Sequence, residues 1–314
     1  MRGSALPSPW LPIAVASLSL AAAGSALAPK WRRVCVALVA TSLALSIPTC
    51  VAAGIAGECL SMAMAALSFS LLGSLAAIRR MIFLAAATPH TSVFSVATAL
   101  AVAGYSLAAY PVMLLVSLSL ALGALAASRR LGSDVATGLV VSLAATGTTL
   151  SLYYLASRGL SISSLVVGEA PKSVGAVWPV IGVALLAAAY VPASLHTHLL
   201  VSMDEDLAKL GGARVWLHDL ALATLFAGVG IATVTSVGFV MQHVLVLVPP
   251  AIAANVARGC REGVALSTAI SIASACSGAL LATSIGIAPA GGVGLALIAS
   301  YALSELGYRV AGVG

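Results

Sequence analysis

"SMDEDLAKLGG", residues 202–212, holds four ionised side chains (Asp204, Glu205, Asp206 and Lys209) in a chain that has little charge elsewhere. Only 8% of the 314 residues are charged, and 61% are hydrophobic. A soluble domain carries about 25% charged residues, so this composition is typical of an integral membrane protein. We therefore predict an all-α, polytopic membrane protein in which 202–212 is a polar loop between two spanning helices.

The apolar segments around this loop are long enough to cross a bilayer, which takes about 20 apolar residues. They fall at 10–28, 34–50, 53–78, 82–105, 107–128, 135–157, 173–200, 215–234, 237–257, 263–286 and 289–308. The segments within 34–78 and within 82–128 are separated by only a few residues, so we expect one or two of them to be half-spans or re-entrant pieces. We therefore predict about ten spans. The first segment ends in "SALAPK", which resembles a signal-peptide cleavage site, but the "KWRR" that follows favours a retained helix.

Basic residues are distributed unevenly between the two ends of the predicted spans. With Arg79 and Arg80 in the cytoplasm and the spans alternating, twelve of the fifteen basic residues lie on that side, as the positive-inside rule predicts. The other ten are Lys30, Arg32, Arg33, Arg129, Arg130, Lys209, Arg214, Arg258, Arg261 and Arg309, and only Arg2, Arg158 and Lys172 lie outside. This pattern places the 202–212 loop in the cytoplasm, and the scatter of basic residues over span ends argues against a nucleic-acid partner.

The loop has the signals of a short capped helix. Asp204 can cap the helix, and Glu205 and Asp206 are acidic residues in its first turn. Leu207 and Leu210 are three apart and so lie on one face, and Gly211 and Gly212 end the helix. Such a helix suits docking into a groove on another protein. The alternative is an ordinary polar connector.

The sequence that flanks the loop resembles the permease subunits of ABC-type zinc, manganese and iron importers. The family pattern "sfDeelA…G" is matched by Ser202, Met203, Asp204, Glu205, Leu207, Ala208 and Gly211/Gly212. "VGFVMQHVLVLVPPAIAANVAR" (237–258) resembles the family's "vG.LLv.ALLviPaatA", and "IAPAGGVGLAL" (287–297) resembles its "lPsGativl" turn. "GSDVATG" (132–138) and "LSISSLVVGEA" (160–170) resemble two further family segments.

The N-terminal half departs more from the family pattern. "LGSLAAIRRMIFLAAATPHTSVFSVA" (72–97) resembles "GvflvlRRmaflGDalSHavlpGva", but the family's Gly-Asp pair falls on Ala85 and Ala86 and its Ser on Pro89. The resemblance covers residues 53 to 308. It implies a type II ABC-importer permease-like bundle over 51–314, preceded by extra spans of unknown role in 1–50.

The resemblance also implies partners and a location. Residues Asp204, Glu205, Asp206, Leu207, Ala208, Leu210 and Gly211 would form a coupling helix that docks onto an ABC ATPase subunit. The chain has no GxxxxGK[ST] motif, so ATP would be hydrolysed by that partner, and no cofactor is expected on this chain. We also expect the permease to form a homodimer in the lipid of the plasma membrane and to receive metal ions from an external metal-binding protein.

Two histidines and one glutamate are candidates for the translocation pathway. His90 matches the family histidine, but Ala86 stands where the family has an aspartate. An aspartate and a histidine at positions i and i+4 would share one helix face and provide two ligands for a divalent cation. His243, in mid-span, could supply a replacement imidazole, and Glu58 could line the entrance. Alternatively, His90 is a hydrogen-bonded packing residue, His243 makes an interhelical hydrogen bond to a serine or threonine, and Glu58 is paired within the bundle.

Several other residues receive more ordinary predictions. Asp134 is expected to cap a helix, Glu169 to face an external binding protein, and Pro249-Pro250 to break or kink a span. We expect interface roles near the loop for His196, His198, His218 and Asp219, and core positions for the cysteines (Cys35, Cys50, Cys59, Cys260 and Cys276), with Cys50 and Cys59 able to meet.

The function predicted from the sequence is the permease of an ATP-driven, binding-protein-dependent importer of divalent metal ions, zinc or manganese. The missing carboxylate at Ala86 leaves open a degenerate paralogue that carries another substrate or serves as an accessory component. A secondary transporter or intramembrane enzyme is disfavoured, because there are only nine acidic residues and no HExxH or GxSxG motif.

Overall fold

The structure, a computed structural model, describes residues 9–27, 32–159, 165, 168–169, 171 and 174–310. Within these ranges the chain is helical and has no strand, as predicted. The α-helices are α1 Leu11–Leu27, α2 Arg32–Ala52, α3 Ala56–Ile78, α4 Ile82–Ala103, α5 Ala109–Leu131, α6 Ser133–Ser157, α7 Trp178–Met203, α8 Glu205–Leu210, α9 Val215–Val237, α10 Phe239–Val256, α11 Cys260–Ile285 and α12 Pro289–Val310, with a 3-10 turn at Val174–Val177. The predictions for Arg2, Lys30, Lys172 and the junction at 28–30 lie outside the described residues.

Nine of the described helices, α3–α7 and α9–α12, are long and apolar enough to cross a membrane. The helices α1 and α2 add shorter apolar stretches, Leu11–Ala23 and Val36–Ala52. Three of the four segments that were expected to include half-spans, α3, α4 and α5, are separate helices of 23, 22 and 23 residues. Tight turns at 79–81 and at 104–108 separate these three helices, whereas α2, with its shorter apolar stretch Val36–Ala52, is not among the nine.

Contacts between helix ends agree with the predicted sidedness. Asp219, near the start of α9, binds Arg79 after α3 and Arg129 near the end of α5. At the opposite end of α9, the carbonyl of Thr235 accepts a hydrogen bond from the amide of Glu169, which lies in the predicted outer loop. Arg79 and Arg129 therefore lie at the same end of the bundle, as predicted, and Glu169 lies at the opposite end.

Helix α3 lies at the centre of the bundle and packs against α7, α10 and α11. A side chain at Gly73 would overlap the carbonyl of Val246 on α10. In a regular helix that carbonyl would accept from the amide of residue 250, and Pro250 has no amide hydrogen. Of the predicted break or kink at Pro249-Pro250, the break does not occur, since α10 continues to Val256. Pro250 instead leaves the Val246 carbonyl without its helical donor, at the point where Gly73 of α3 lies against it.

The N-terminal pair α1 and α2 packs against α11 and α12. Three cysteines meet where α2 joins the bundle: Cys50, Cys59 and Cys276 are buried in one cluster, and the Cys50 Sγ lies 3.9 Å from the Cys276 carbonyl. These positions fit the predicted core role, whereas Cys260 is exposed. The side chain of Cys35 is not described.

Asp134 does not cap α6, contrary to the prediction. Gly132, with φ 84° and ψ 160°, occupies the N-cap position, and Asp134 lies in the first turn with no capping hydrogen bond. Its negative charge still faces the positive end of the helix dipole.

Candidate functional site

The 202–212 loop folds into the predicted capped helix. Asp204 is extended, at φ −155° and ψ 111°, and its Oδ1 accepts hydrogen bonds of 2.9 Å from the amides of Asp206 and Leu207. These two bonds satisfy amides that have no partner inside a helix. Helix α8 ends at Gly211, and Gly212 follows at φ 89°, a left-handed conformation that glycine adopts without strain.

One side of α8 rests on the protein and the other carries exposed leucines. Ala208 is buried against Val201 of α7 and Val215 of α9. Leu207 is 64% exposed and Leu210 is 86% exposed, beside a groove of about 920 Å³ between the ends of α7 and α9. Adjacent exposed leucines outside the spanning helices are typical of an interaction site.

The charges of α8 are organised around Lys209. Its Nζ lies 2.8 Å from Glu205 Oε1 and 3.3 Å from Asp206 Oδ1. The hydrogen bond from Lys209 lowers the pKa of Glu205, and the same bond raises the pKa of Lys209. Both groups are therefore ionised near neutral pH. With Asp204, the helix and its cap carry three negative charges and one positive charge.

A buried ionic cluster lies next to α8, at the ends of α3, α5, α7 and α9 that the sequence places in the cytoplasm. Asp219 Oδ1 is 2.6 Å from Arg79 Nη2, and its Oδ2 is 3.0 Å from Arg129 Nη2. The side chains of Asp219 and Arg79 are only 10% and 6% exposed, whereas that of Arg129 is 64% exposed. A buried charge of this kind needs its partner, because desolvation is costly.

Two histidines and a tyrosine extend this cluster. Arg79 Nη1 donates to His198 Nδ1 at 2.9 Å, so the hydrogen of that imidazole is on Nε2, 3.0 Å from the hydroxyl of Tyr190. The hydroxyl also lies 3.3 Å from His218 Nδ1 and from the His218 carbonyl. His198 is fully buried and Asp219 nearly so, which corrects the prediction that both lie at an interface; His196 is exposed and His218 partly buried. Nothing in the sequence pairs these residues, which lie near the ends of separate predicted spans.

The structure brings the two predicted pathway histidines together. The rings of His90 on α4 and His243 on α10 are 4.9 Å apart, centroid to centroid, and both contact Phe239. His243 Nδ1 lies 3.1 Å from the Phe239 carbonyl, which can only accept. Nδ1 therefore carries the hydrogen, and Nε2 keeps its lone pair, the arrangement found in metal-binding histidines.

A buried amide holds the histidine-bearing helices in place. The Gln242 Oε1 accepts from Ser92 on α4 at 2.9 Å. Its Nε2 donates to the carbonyl of Gly230 at 2.8 Å and to the hydroxyl of Thr233 at 2.9 Å, both on α9. Gln242 thus connects α4, α9 and α10 beside His243. The sequence shows an amide in an apolar span but does not predict which helices it joins.

Glu58 is not part of this arrangement. It lies in the first turn of α3, about 20 residues or roughly 30 Å of helix from the α3–α4 turn, whereas His90 is roughly 12 Å from that turn. Among the described residues, no group of three His, Cys, Asp or Glu side chains is arranged to hold a metal ion. Glu169, the predicted contact for an external protein, is exposed beside the α9–α10 turn.

Comparisons with known proteins place this geometry in context. The profile of the ABC 3 transport family matches residues 53–306, a range that begins directly after α2. No curated protein matches the sequence. The solved structure of PsaBC from Streptococcus pneumoniae in complex with Fab has a similar fold, with a TM-score of 0.67 at 19% identity over 79% of this chain and 89% of that chain.

Proposed function

The chain belongs to the ABC 3 transport family, a family of multi-pass plasma-membrane permeases, and from this premise we propose that it imports divalent metal ions as the permease of an ATP-driven transporter. The observation that carries the proposal is α8, a capped helix between α7 and α9 with Leu207 and Leu210 exposed. In this proposal α8 docks into an ATPase subunit, which hydrolyses ATP. Two permease copies and an external metal-binding protein complete the importer.

The ionic cluster supplies a route from α8 to the centre of the bundle. Helix α8 is joined directly to α7 and α9, which carry His198 and Asp219. Both of these side chains bind Arg79, which ends the central helix α3. We infer that a displacement of α8 on ATP binding moves α3 through these contacts.

The histidine pair is the proposed contact for the cargo. Two neutral imidazoles suit zinc, whereas manganese prefers carboxylate oxygens, and the family carboxylate is Ala86 here. The histidine pair therefore favours zinc over manganese. Water would complete the coordination during passage, as is usual where protein ligands are few. The same absence of a carboxylate supports the second candidate, a paralogue that keeps the coupling helix but carries a different substrate.

Co-purification tests the coupling. A tagged chain expressed in its native host and extracted in mild detergent is expected to retain an ATPase whose peptides include a GxxxxGK[ST] motif. The double change Leu207→Asp/Leu210→Asp should abolish the association, since it places charge on the docking surface. Leu131→Asp/Ser133→Asp adds the same charge at exposed positions outside α8, between α5 and α6, and is the matched control that should keep it. An intact chain that retains no such ATPase would count against the proposal.

Radiometal uptake tests the cargo site. We expect ⁶⁵Zn uptake to fall at least tenfold in the double variant His90→Ala/His243→Ala, while the ATPase remains bound. His196→Ala, an exposed histidine on α7, is the matched control. Unchanged uptake in the double variant would remove both histidines from the mechanism and favour the second candidate.

A further inference from the structure

A groove between α5 and α9 opens at the cytoplasmic end of the bundle, apart from α8 and from the histidine pair. Its volume is about 430 Å³, within the range of small-molecule sites. Leu122 and Leu125 of α5 line its apolar part. The guanidinium groups of Arg129 and Arg130 and the indole of Trp216 form its cytoplasmic rim.

The rim carries more positive charge than the protein neutralises. Arg129 and Arg130 line the groove together with one aspartate, Asp219, to which the buried Arg79 also binds. Glu205 of α8 also interacts electrostatically with Arg129, but it is paired with Lys209, so the net charge near the rim is positive. Arg79 is buried and bound to both Asp219 and His198, so its donors point away from solvent. Arg129 gives one hydrogen bond to Asp219 and is otherwise exposed, and Arg130 makes no ion pair among the side chains that the structure describes.

The groove also lies at the depth where lipid headgroups meet acyl chains. Arg129 and Arg130 end α5, and Trp216 is the second residue of α9, 62% exposed. Indole rings are enriched at this interface of a membrane, and basic pockets between spanning helices on the cytoplasmic side bind anionic headgroups. Leu125 lies one helical turn before Arg129 and Leu122 lies two turns before it, and both leucines continue the groove as an apolar surface.

We propose that this groove binds an anionic phospholipid, with its phosphodiester between Arg129 and Arg130 and one acyl chain along Leu125 and Leu122. The arginines provide forked donors that match phosphate oxygens. The apolar part of the groove favours a lipid over a free phosphate ion, because a phosphate ion has no acyl chain to contact it. The site requires only that the helices span the membrane, so its test is independent of the transported substrate.

Fluorescence of Trp216 provides the test. The full-length chain with Trp10→Phe, Trp31→Phe and Trp178→Phe retains Trp216 as its single indole. In nonionic detergent, phosphatidylglycerol with brominated acyl chains is expected to quench this indole at concentrations at least tenfold lower than brominated phosphatidylcholine. Arg130→Gln should weaken the phosphatidylglycerol response about fivefold, and Arg129→Gln/Arg130→Gln roughly 25-fold, because each arginine contributes about 1 kcal/mol to an anionic-lipid site.

Controls separate a lipid site from other outcomes. Arg158→Gln, at the other end of the bundle, should leave the response unchanged. The single variant Arg130→Gln keeps the Arg129–Asp219 ion pair, so it tests the site even if the double variant is unstable. Equal quenching by both lipids, or full response in Arg130→Gln, would overturn the proposal. Displacement of the brominated lipid by millimolar inorganic phosphate would also overturn it, in favour of a soluble-anion site.

Discussion

Asp219 makes two ion pairs that differ in burial, and they should differ correspondingly in their contribution to stability. In Arg79→Met, a nearly buried carboxylate loses its 2.6 Å partner, and His198 loses the donor to its Nδ1. Breaking a buried pair from one side costs about 3–5 kcal/mol. In Arg129→Met, the lost side chain is 64% exposed, so solvent screens the pair and the cost is about 0–1 kcal/mol.

Thermal unfolding of the purified protein in detergent measures this difference. At roughly 2–4 °C per kcal/mol, the midpoint should fall by roughly 6–20 °C in Arg79→Met and by no more than roughly 4 °C in Arg129→Met. The double variant Arg79→Met/Asp219→Leu should be more stable than Arg79→Met alone, because replacing both members of a buried pair by apolar residues removes the unpaired charge. Equal losses for the two arginines would refute this account of the cluster.

Three further predictions concern single positions. Gly73→Ala should lower the unfolding midpoint by several degrees because a methyl group would meet the Val246 carbonyl, whereas Gly123→Ala, which has open space around it, should not; comparison of the two midpoints decides. Asp204→Ala removes both capping bonds and should destabilise α8 by about 1 kcal/mol, seen as faster amide exchange at 205–210 with the rest of the chain unchanged. Tyr190→Phe should cost about 1 kcal/mol through its lost hydrogen bonds, measurable as a lower midpoint, and a midpoint equal to wild type would show that the hydroxyl is dispensable.

The structure of α8 could be predicted because its determinants are local. The N-cap, the acidic first turn and the glycine stop act within eleven residues, and both capping bonds run from Asp204 to amides two and three positions away. The failed prediction for Asp134 has a similar local cause. Two residues earlier, Gly132 adopts a positive φ and takes the cap position itself, so the helix begins before the aspartate.

The candidate site could be predicted only in part, because its partners are distant in the sequence. The sequence indicated His90 and His243 separately, but their contact depends on how α4 and α10 pack. Asp219 and Arg79 are 140 positions apart, and neither residue type at a span end predicts a buried pair. Burial of His198 could not be read from its neighbours, since His196, two positions away, faces outward.

The close contact between α3 and α10 gives the ionic cluster a physical connection to the histidine pair. Arg79 is six residues from Gly73, about 9 Å along the helix, and Val246 is three residues from His243, about 4.5 Å. Gly73 lies directly against the Val246 carbonyl, the group that Pro250 leaves without an amide partner. A shift of α3 cannot be absorbed by a deformable side chain at this point, because backbone meets backbone. In the importer proposed above, motion transmitted from α8 to Arg79 would therefore also reposition α10, and with it the imidazole of His243 relative to His90.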